Sequence, residues 1–220
     1  MGEFFYVMKK FKFEKRTYSM KKHYILITLF LIGFIVSGIN PHDYFTWFLE
    51  VFPAIIGLVI LIFTFKKFQF TFLTYSLILV HCYVLFIGGH YTYAEVPLFD
   101  WIKEAFHQSR NNYDKVGHFT QGFVPAIIVR ELFIRKAVVK PGGWLAFLTV
   151  CTCLSISVFY EFLEWAVAEA SGQSAEAFLG TQGYVWDTQS DMLYAGIGAT
   201  FAVILLGEIQ SKQIEKIKAV

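Results

Sequence analysis

The stretch Met20-Lys-Lys-His-Tyr-Ile-Leu-Ile-Thr-Leu-Phe-Leu-Ile-Gly-Phe-Ile-Val-Ser-Gly-Ile39 sets two lysines ahead of an uncharged and almost wholly apolar run. A membrane-crossing helix needs roughly 20 predominantly apolar residues, so this stretch reads as a first span. The rest of the chain has the same character. Of 220 residues, 56% are hydrophobic, 19% aromatic and only 16% charged, and Phe alone occurs 25 times. Mean hydropathy is +0.51. A soluble domain carries roughly a quarter charged residues and has about one core to fill. Disorder, collagen, coiled coil and a disulfide-stapled secreted scaffold are excluded by the same figures. The fold class that follows is all-α, a polytopic transmembrane helical bundle in one domain spanning residues 1–220.

Six segments are long and apolar enough to be read as spans: His23–Ile39, Thr46–Phe65, Phe70–Ile87, Val116–Ile134, Trp144–Ala168 and Asp191–Ile209. His81 interrupts the third, and Gln121 and Pro125 interrupt the fourth. A polar or kinked span is tolerated where neighbouring helices satisfy it. No A-x-A-like cleavage site follows the first, so it reads as an uncleaved span rather than a signal peptide. Lys and Arg set the orientation. Sixteen of the 19 basic residues fall on one side, before span one, at Lys66 and Lys67, from Arg130 to Lys140, and from Lys212 to Lys218. Only Lys103, Arg110 and Lys115 fall on the other. Both termini are therefore expected in the cytoplasm. Residues 1–21 form a basic, aromatic segment suited to an anionic inner leaflet, unless Met20 is the true start. The net charge of +2 says little by itself; no nucleic-acid partner is expected, and the expected surroundings are the lipid bilayer of a plasma membrane.

The acidic residues mirror the basic ones, with 12 of 17 on the outer side. Their spacing is helical. Asp114 and His118 are one turn apart at the start of span four, and Gln121 extends that face. Ser157, Glu161 and Glu164 form a stripe near the outer end of span five. Asp187 and Asp191 are one turn apart entering span six. His90 follows Gly88-Gly89 at the outer end of span three and is placed near the same level.

Singly, each has a plain explanation: an acid at a helix N-terminus meets the dipole favourably, and a Glu near the headgroups can snorkel to water. Together, converging acids repel unless protonated or bridged by a cation. The expected metal ligands are therefore Asp114, His118, Glu161, Asp187, Asp191 and His90. Glu164 and Gln121 are the expected catalytic groups. Carboxylates with one or two imidazoles suit a divalent ion such as Zn²⁺, Mn²⁺, Fe²⁺ or Mg²⁺. No H-E-x-x-H, C-x-x-C, EF-hand loop, G-x-S-x-G elbow or P-loop is present, which leaves the metal unspecified and gives serine-triad or nucleotide chemistry no support. Cys82, Cys151 and Cys153 lie in apolar runs and read as small packing residues. Small residues at Ala195, Gly198, Ala199 and Ala202 predict close helix packing in span six. The tryptophans near span ends read as interfacial anchors.

Four segments carry a resemblance: His90-Tyr-Thr-Tyr-Ala-Glu-Val-Pro97; Arg110-Asn-Asn-Tyr-Asp-Lys-Val-Gly-His-Phe119 with Gln121-Gly122; Tyr160-Glu161 with Glu164-Trp165; and Trp186-Asp187 with Asp191-Met192. They resemble the YjdF-like family of bacterial inner-membrane proteins, from span two onward. The Asp-Lys-x-x-His-Phe stretch is more distantly similar to VanZ-like membrane proteins. The resemblance implies a bacterial, polytopic, plasma-membrane protein and supplies no substrate. Three functions compete. The first is an outer-face metal-dependent hydrolase or transferase acting on a lipid or envelope precursor. The second is a cation- or proton-coupled transporter. The third is a non-catalytic scaffold whose polar cluster only holds helices together.

Overall fold

The structure is a computed structural model describing residues 21–171 and 183–218, and among these it contains helices and turns but no strand. Helix α1 covers residues 21–37, α2 Tyr44–Thr64, α3 Phe72–His90, α4 Pro97–Ala105, α5 Tyr113–Arg135, α6 Gly143–Ser171 and α7 Asp187–Lys218. Each of the six expected apolar segments coincides with a helix. The basic segment before Lys21, together with Glu176, lies outside the described residues.

Four helices, α2, α3, α6 and α7, are long and apolar enough to cross a membrane. The described part of α1 is short, and α5 carries Asp114, Lys115, Arg130, Glu131 and Arg135. The packing accounts for the polarity of α5. It is the central helix, touching α3, α6 and α7 and lying most extensively against α7. A helix enclosed by protein does not need a lipid-compatible surface. The outer faces of its neighbours do: Phe63, Phe159, Ile204 and Leu205 are all more than half exposed.

Two apolar clusters hold the bundle. In the first, Phe30, Val51, Ala54, Cys82 and Phe86 join α1, α2 and α3, with Trp47 packed alongside. The Trp47 indole donates to Ser37 Oγ at 3.1 Å. In the second, Ala126, Ile127, Cys153, Ala199 and Ala202 join α5, α6 and α7. Small residues let backbones approach closely where apolar lipid provides no hydrophobic drive for association. A Cβ on Gly122 would collide with the Ala195 carbonyl, and one on Gly198 with the Phe119 carbonyl. The three cysteines are free.

The two ends of the bundle differ in charge. At the basic end, fully buried Glu131 accepts from Thr71 N at 2.9 Å, Thr71 Oγ1 at 2.9 Å, Thr74 Oγ1 at 2.7 Å and Arg135 at 2.8 Å. Thr71 is the N-cap of α3, so this network fixes where α3 begins. At the acidic end, Asp43 caps α2 by accepting from Thr46 N at 2.7 Å. That bond holds the Asp43 carboxyl below its ordinary value.

Helix α4, at the acidic end, is not anticipated by the pattern of apolar spans. It is short and amphipathic, with Leu98 and Trp101 exposed. It is tied to α5 through Asn111, whose Nδ2 donates to Val96 O at 3.1 Å and to Asp100 at 2.9 Å. Between α3 and α4 the backbone of Thr92 and Tyr93 is left-handed, both with φ of 56°. Residues with a Cβ resist that conformation. It turns the Tyr93 ring inward against Gly88 and Gly117, where side chains would leave it no room.

Candidate functional site

Three helices deliver the polar residues of the acidic end. Helix α5 presents Asp114, His118 and Gln121 on successive turns of one face. Helix α6 presents Ser157, Glu161 and Glu164, and α7 opens with Asp187 and Asp191. The close α5–α7 packing at Gly122 and Gly198 brings the α5 and α7 residues to within direct contact.

The acids form two groups of three potential ligands, each with its atoms within 4.8 Å of one another: Asp114, Asp187 and Asp191, and His118, Glu161 and Asp191. The first is already supplied with positive charge. Arg110 pairs with Asp114 and, at 2.5 Å, with Asp187. Lys115 Nζ lies 3.0 Å from both Asp187 and Asp191 and 3.5 Å from Asp114. Two cations on three carboxylates leave little demand for a further one, and the contacts are short enough to tie α5 to α7 as charge-assisted hydrogen bonds.

The second group is different. His118 Nδ1 is 3.8 Å from Glu161 Oε1, and Nε2 is 3.7 Å from Asp191 Oδ2. Both distances exceed a hydrogen bond. Glu161 is 8% exposed, and its Oε1 has no hydrogen-bond partner; the same is true of the fully buried Ser157 hydroxyl below it. Two ligands about 2.1 Å from a tetrahedral ion stand about 3.4 Å apart, so the Nε2–Asp191 separation is close to that of a first coordination sphere, while the Glu161 contact is to the other ring nitrogen. His118 Nδ1 lies 3.1 Å from Gln121 Oε1. With that oxygen accepting, the imidazole proton sits on Nδ1 and the Nε2 lone pair faces Asp191. This is how metal-binding histidines are commonly oriented.

The remaining expected residues separate. Glu164 lies beside the cluster, lining a recess with Glu161, Asp187 and Asp191. Gln121 touches His118 and acts on that ring rather than standing apart from it. His90 does not join: its Nδ1 donates to Ser37 O at 2.9 Å, its carbonyl accepts from His42 N at 2.9 Å, and its ring packs on Tyr91. The turn between α1 and α2 holds it, because Gly89 lets α2 come close on that side of α3.

Glu164, His118 and Gln121 also line a second cavity, of about 270 Å³, between α2, α3, α5 and α6. Its walls include Glu50, His81, Tyr93 and Tyr160, which no spacing in the sequence marks as a site. Glu50 was legible only as one more outer acid, and His81 only as an interruption. Arg110 and Lys115 were legible as exceptions to the charge asymmetry and as part of a motif, but their pairing with Asp187 joins residues far apart in the chain.

A model of the family described as "Predicted membrane protein (DUF2238)" matches residues 22–212. The chain is 46% identical over 190 residues to "Inner membrane protein YjdF" of Escherichia coli (strain K12), covering 86% of this chain and 90% of that protein. No solved structure matches. The matched span includes every residue of the cluster, and with the apolar helices it makes this a multi-pass protein of the bacterial inner membrane. The chain belongs to the DUF2238 family of predicted membrane proteins.

Proposed function

We propose that His118, Glu161 and Asp191 hold a divalent cation, and that the protein is a hydrolase or transferase acting on a lipid or envelope precursor at the outer face of the inner membrane. In this reading α1 to α3 and α5 to α7 are six spans with both termini cytoplasmic. One observation carries it. Glu161 Oε1 is buried beside His118 and Asp191 without a donor, whereas Glu131, fully buried at the opposite end of the bundle, is fully supplied with donors. A buried carboxylate oxygen without a donor is costly, even with Thr188 bonded to the same carboxylate, and a cation is the partner its neighbours are equipped to share.

A bound ion there would supply Lewis acidity. The protein's own residues have separable tasks. Gln121 orients the His118 ring, Arg110 and Lys115 neutralise the adjacent acids so that the site is not flooded with negative charge, and Glu164 stands near enough to serve as a general base. The donor set of one imidazole and two carboxylates fits Zn²⁺, Mn²⁺ or Fe²⁺ best and Mg²⁺ less well.

The scaffold reading has its own support, since Arg110 and Lys115 bind α5 to α7 irrespective of any ion. Elemental analysis of the detergent-purified protein separates the two. The expected result is close to one equivalent of a transition metal, lost in His118→Ala. Purified protein that neither retains nor takes up Zn²⁺, Mn²⁺ or Fe²⁺ overturns the metal-dependent reading.

A further inference from the structure

The cavity between α2, α3, α5 and α6 is graded along its length. At the acidic end its lining is Glu50, Tyr93, Gln121, Tyr160 and Glu164; toward the middle of the bundle, past His81, it becomes Gly57, Ile78, Val124, Ile128 and Ile156. From Asp114 to Ile128 the α5 wall runs about 21 Å at 1.5 Å per residue, roughly parallel to the helices. Its polar end therefore lies at one membrane surface and its apolar end within the hydrocarbon layer.

Two details define what it accepts. Among the described residues, no Lys or Arg lines the cavity, so an anionic group seated beside Glu50 and Glu164, away from His118, meets no basic side chain. The polar end is rich instead in carboxylate, amide and phenol oxygens. Acceptors of this kind suit hydroxyl donors. The second detail is Gly57: it lines the apolar part, and a Cβ built on it meets no atom within 4 Å. The space beside it is open in the stretch of α2 from Val51 to Phe63, which is apolar throughout, and a hydrocarbon chain is what such a space holds in a membrane protein.

We infer that this cavity seats a single-chain amphiphile with an uncharged, hydroxyl-bearing head group, its head among Glu50, Tyr93 and Glu164 and its chain running past Gly57. The inference rests on the proposed function in one respect: it names the substrate class that would reach His118, which faces both the cavity and the cation ligands. The head group is then a polyol ester rather than a phosphate.

The test uses the full-length protein in detergent, with radiolabelled monooleoylglycerol as probe and metal content measured on the same samples. Wild type should bind it saturably, about one per chain. Gly57→Leu should weaken binding at least tenfold while leaving metal content and thermal stability no lower than wild type; Gly57→Val should give a smaller loss. Oleoyl lysophosphatidylglycerol and oleylamine, with comparable chains and opposite charges, should each bind at least tenfold more weakly. Unsaturable binding, binding unaffected by Gly57→Leu, or preference for either charged probe overturns the inference. If no metal is found but Gly57→Leu still abolishes saturable binding, the cavity assignment stands and the metal-dependent reading falls. A metal-loaded protein that does not bind the probe overturns the cavity assignment and leaves the metal-dependent reading standing.

Discussion

Gly122 on α5 faces the carbonyl of Ala195 on α7 with no space for a side chain between them, and Gly198 meets the Phe119 carbonyl in the same manner. These two contacts bring Asp187 and Asp191 alongside Asp114 and His118. Gly122→Ala must therefore either part the helices or displace backbone. Overpacking of this kind typically costs about 1–3 kcal/mol. Thermal unfolding in detergent should show the loss, and cation binding should weaken with it, because the ligands sit on the two helices being parted. Gly57→Ala, where a Cβ meets no neighbour within 4 Å, is the control and should not lower the melting temperature. Equal effects at the two glycines would show that the α5–α7 contact is not the determining one.

A second expectation concerns orientation. With 16 of 19 basic residues on one side, a reporter fused at Ala105 should be active only outside the cytoplasm and one at Val220 only inside. A cytoplasmic signal at Ala105 would remove the six-span arrangement and the outer-face site together.

Glu131 provides a stability test independent of the acidic end. It is fully buried and joins the start of α3 to Arg135 and, more weakly, to Gln210. Breaking a buried charge network by removing one partner costs roughly 3–5 kcal/mol, because the remaining partners lose their compensation. Glu131→Ala should destabilise on that scale while retaining the metal content of wild type in the folded fraction. A variant as stable as wild type would mean the network contributes nothing net.

The sequence made the helices legible because a span must be apolar over its whole length, and each of the six segments overlaps a helix. Helix α4 was hidden for the opposite reason: nine residues at a membrane surface need only one apolar stripe, which a search for spans passes over. Within the site, Asp114 with His118 and Asp187 with Asp191 were readable as pairs one turn apart. What joins the pairs was not readable, since Lys115 with Asp187 and Gly122 with Ala195 depend on which helices are neighbours. His90 was misplaced for the same reason. Its height in the membrane follows from its position in span three, but the direction of its ring follows from the approach of Ser37. Glu50 and His81 have no titratable residue one turn away on their helices, and periodicity does not distinguish such a residue facing a cavity from one satisfied in packing.

The ion site itself predicts a graded series. His118→Ala removes a ligand at the centre of the group, and Asp191→Asn removes the carboxylate shared by both groups, so each should abolish tight binding. Asp191→Asn should also lower stability, because Lys115 loses one of the two carboxylates it contacts at 3.0 Å. Gln121→Ala leaves every ligand in place and frees only the His118 ring; loss of an orienting hydrogen bond of this kind typically weakens metal affinity by 10–100-fold. Glu164→Gln should keep the ion and, once a substrate is in hand, lose turnover. Ser157→Ala tests the alternative that a hydroxyl satisfies Glu161 on occasion, and should leave metal content unchanged. Isothermal titration of the metal-stripped protein with Zn²⁺ and Mn²⁺ measures the first three directly. If the cluster serves only to hold helices together, His118→Ala and Gln121→Ala will move the melting temperature alone, and no variant in the series will change the binding of any ion.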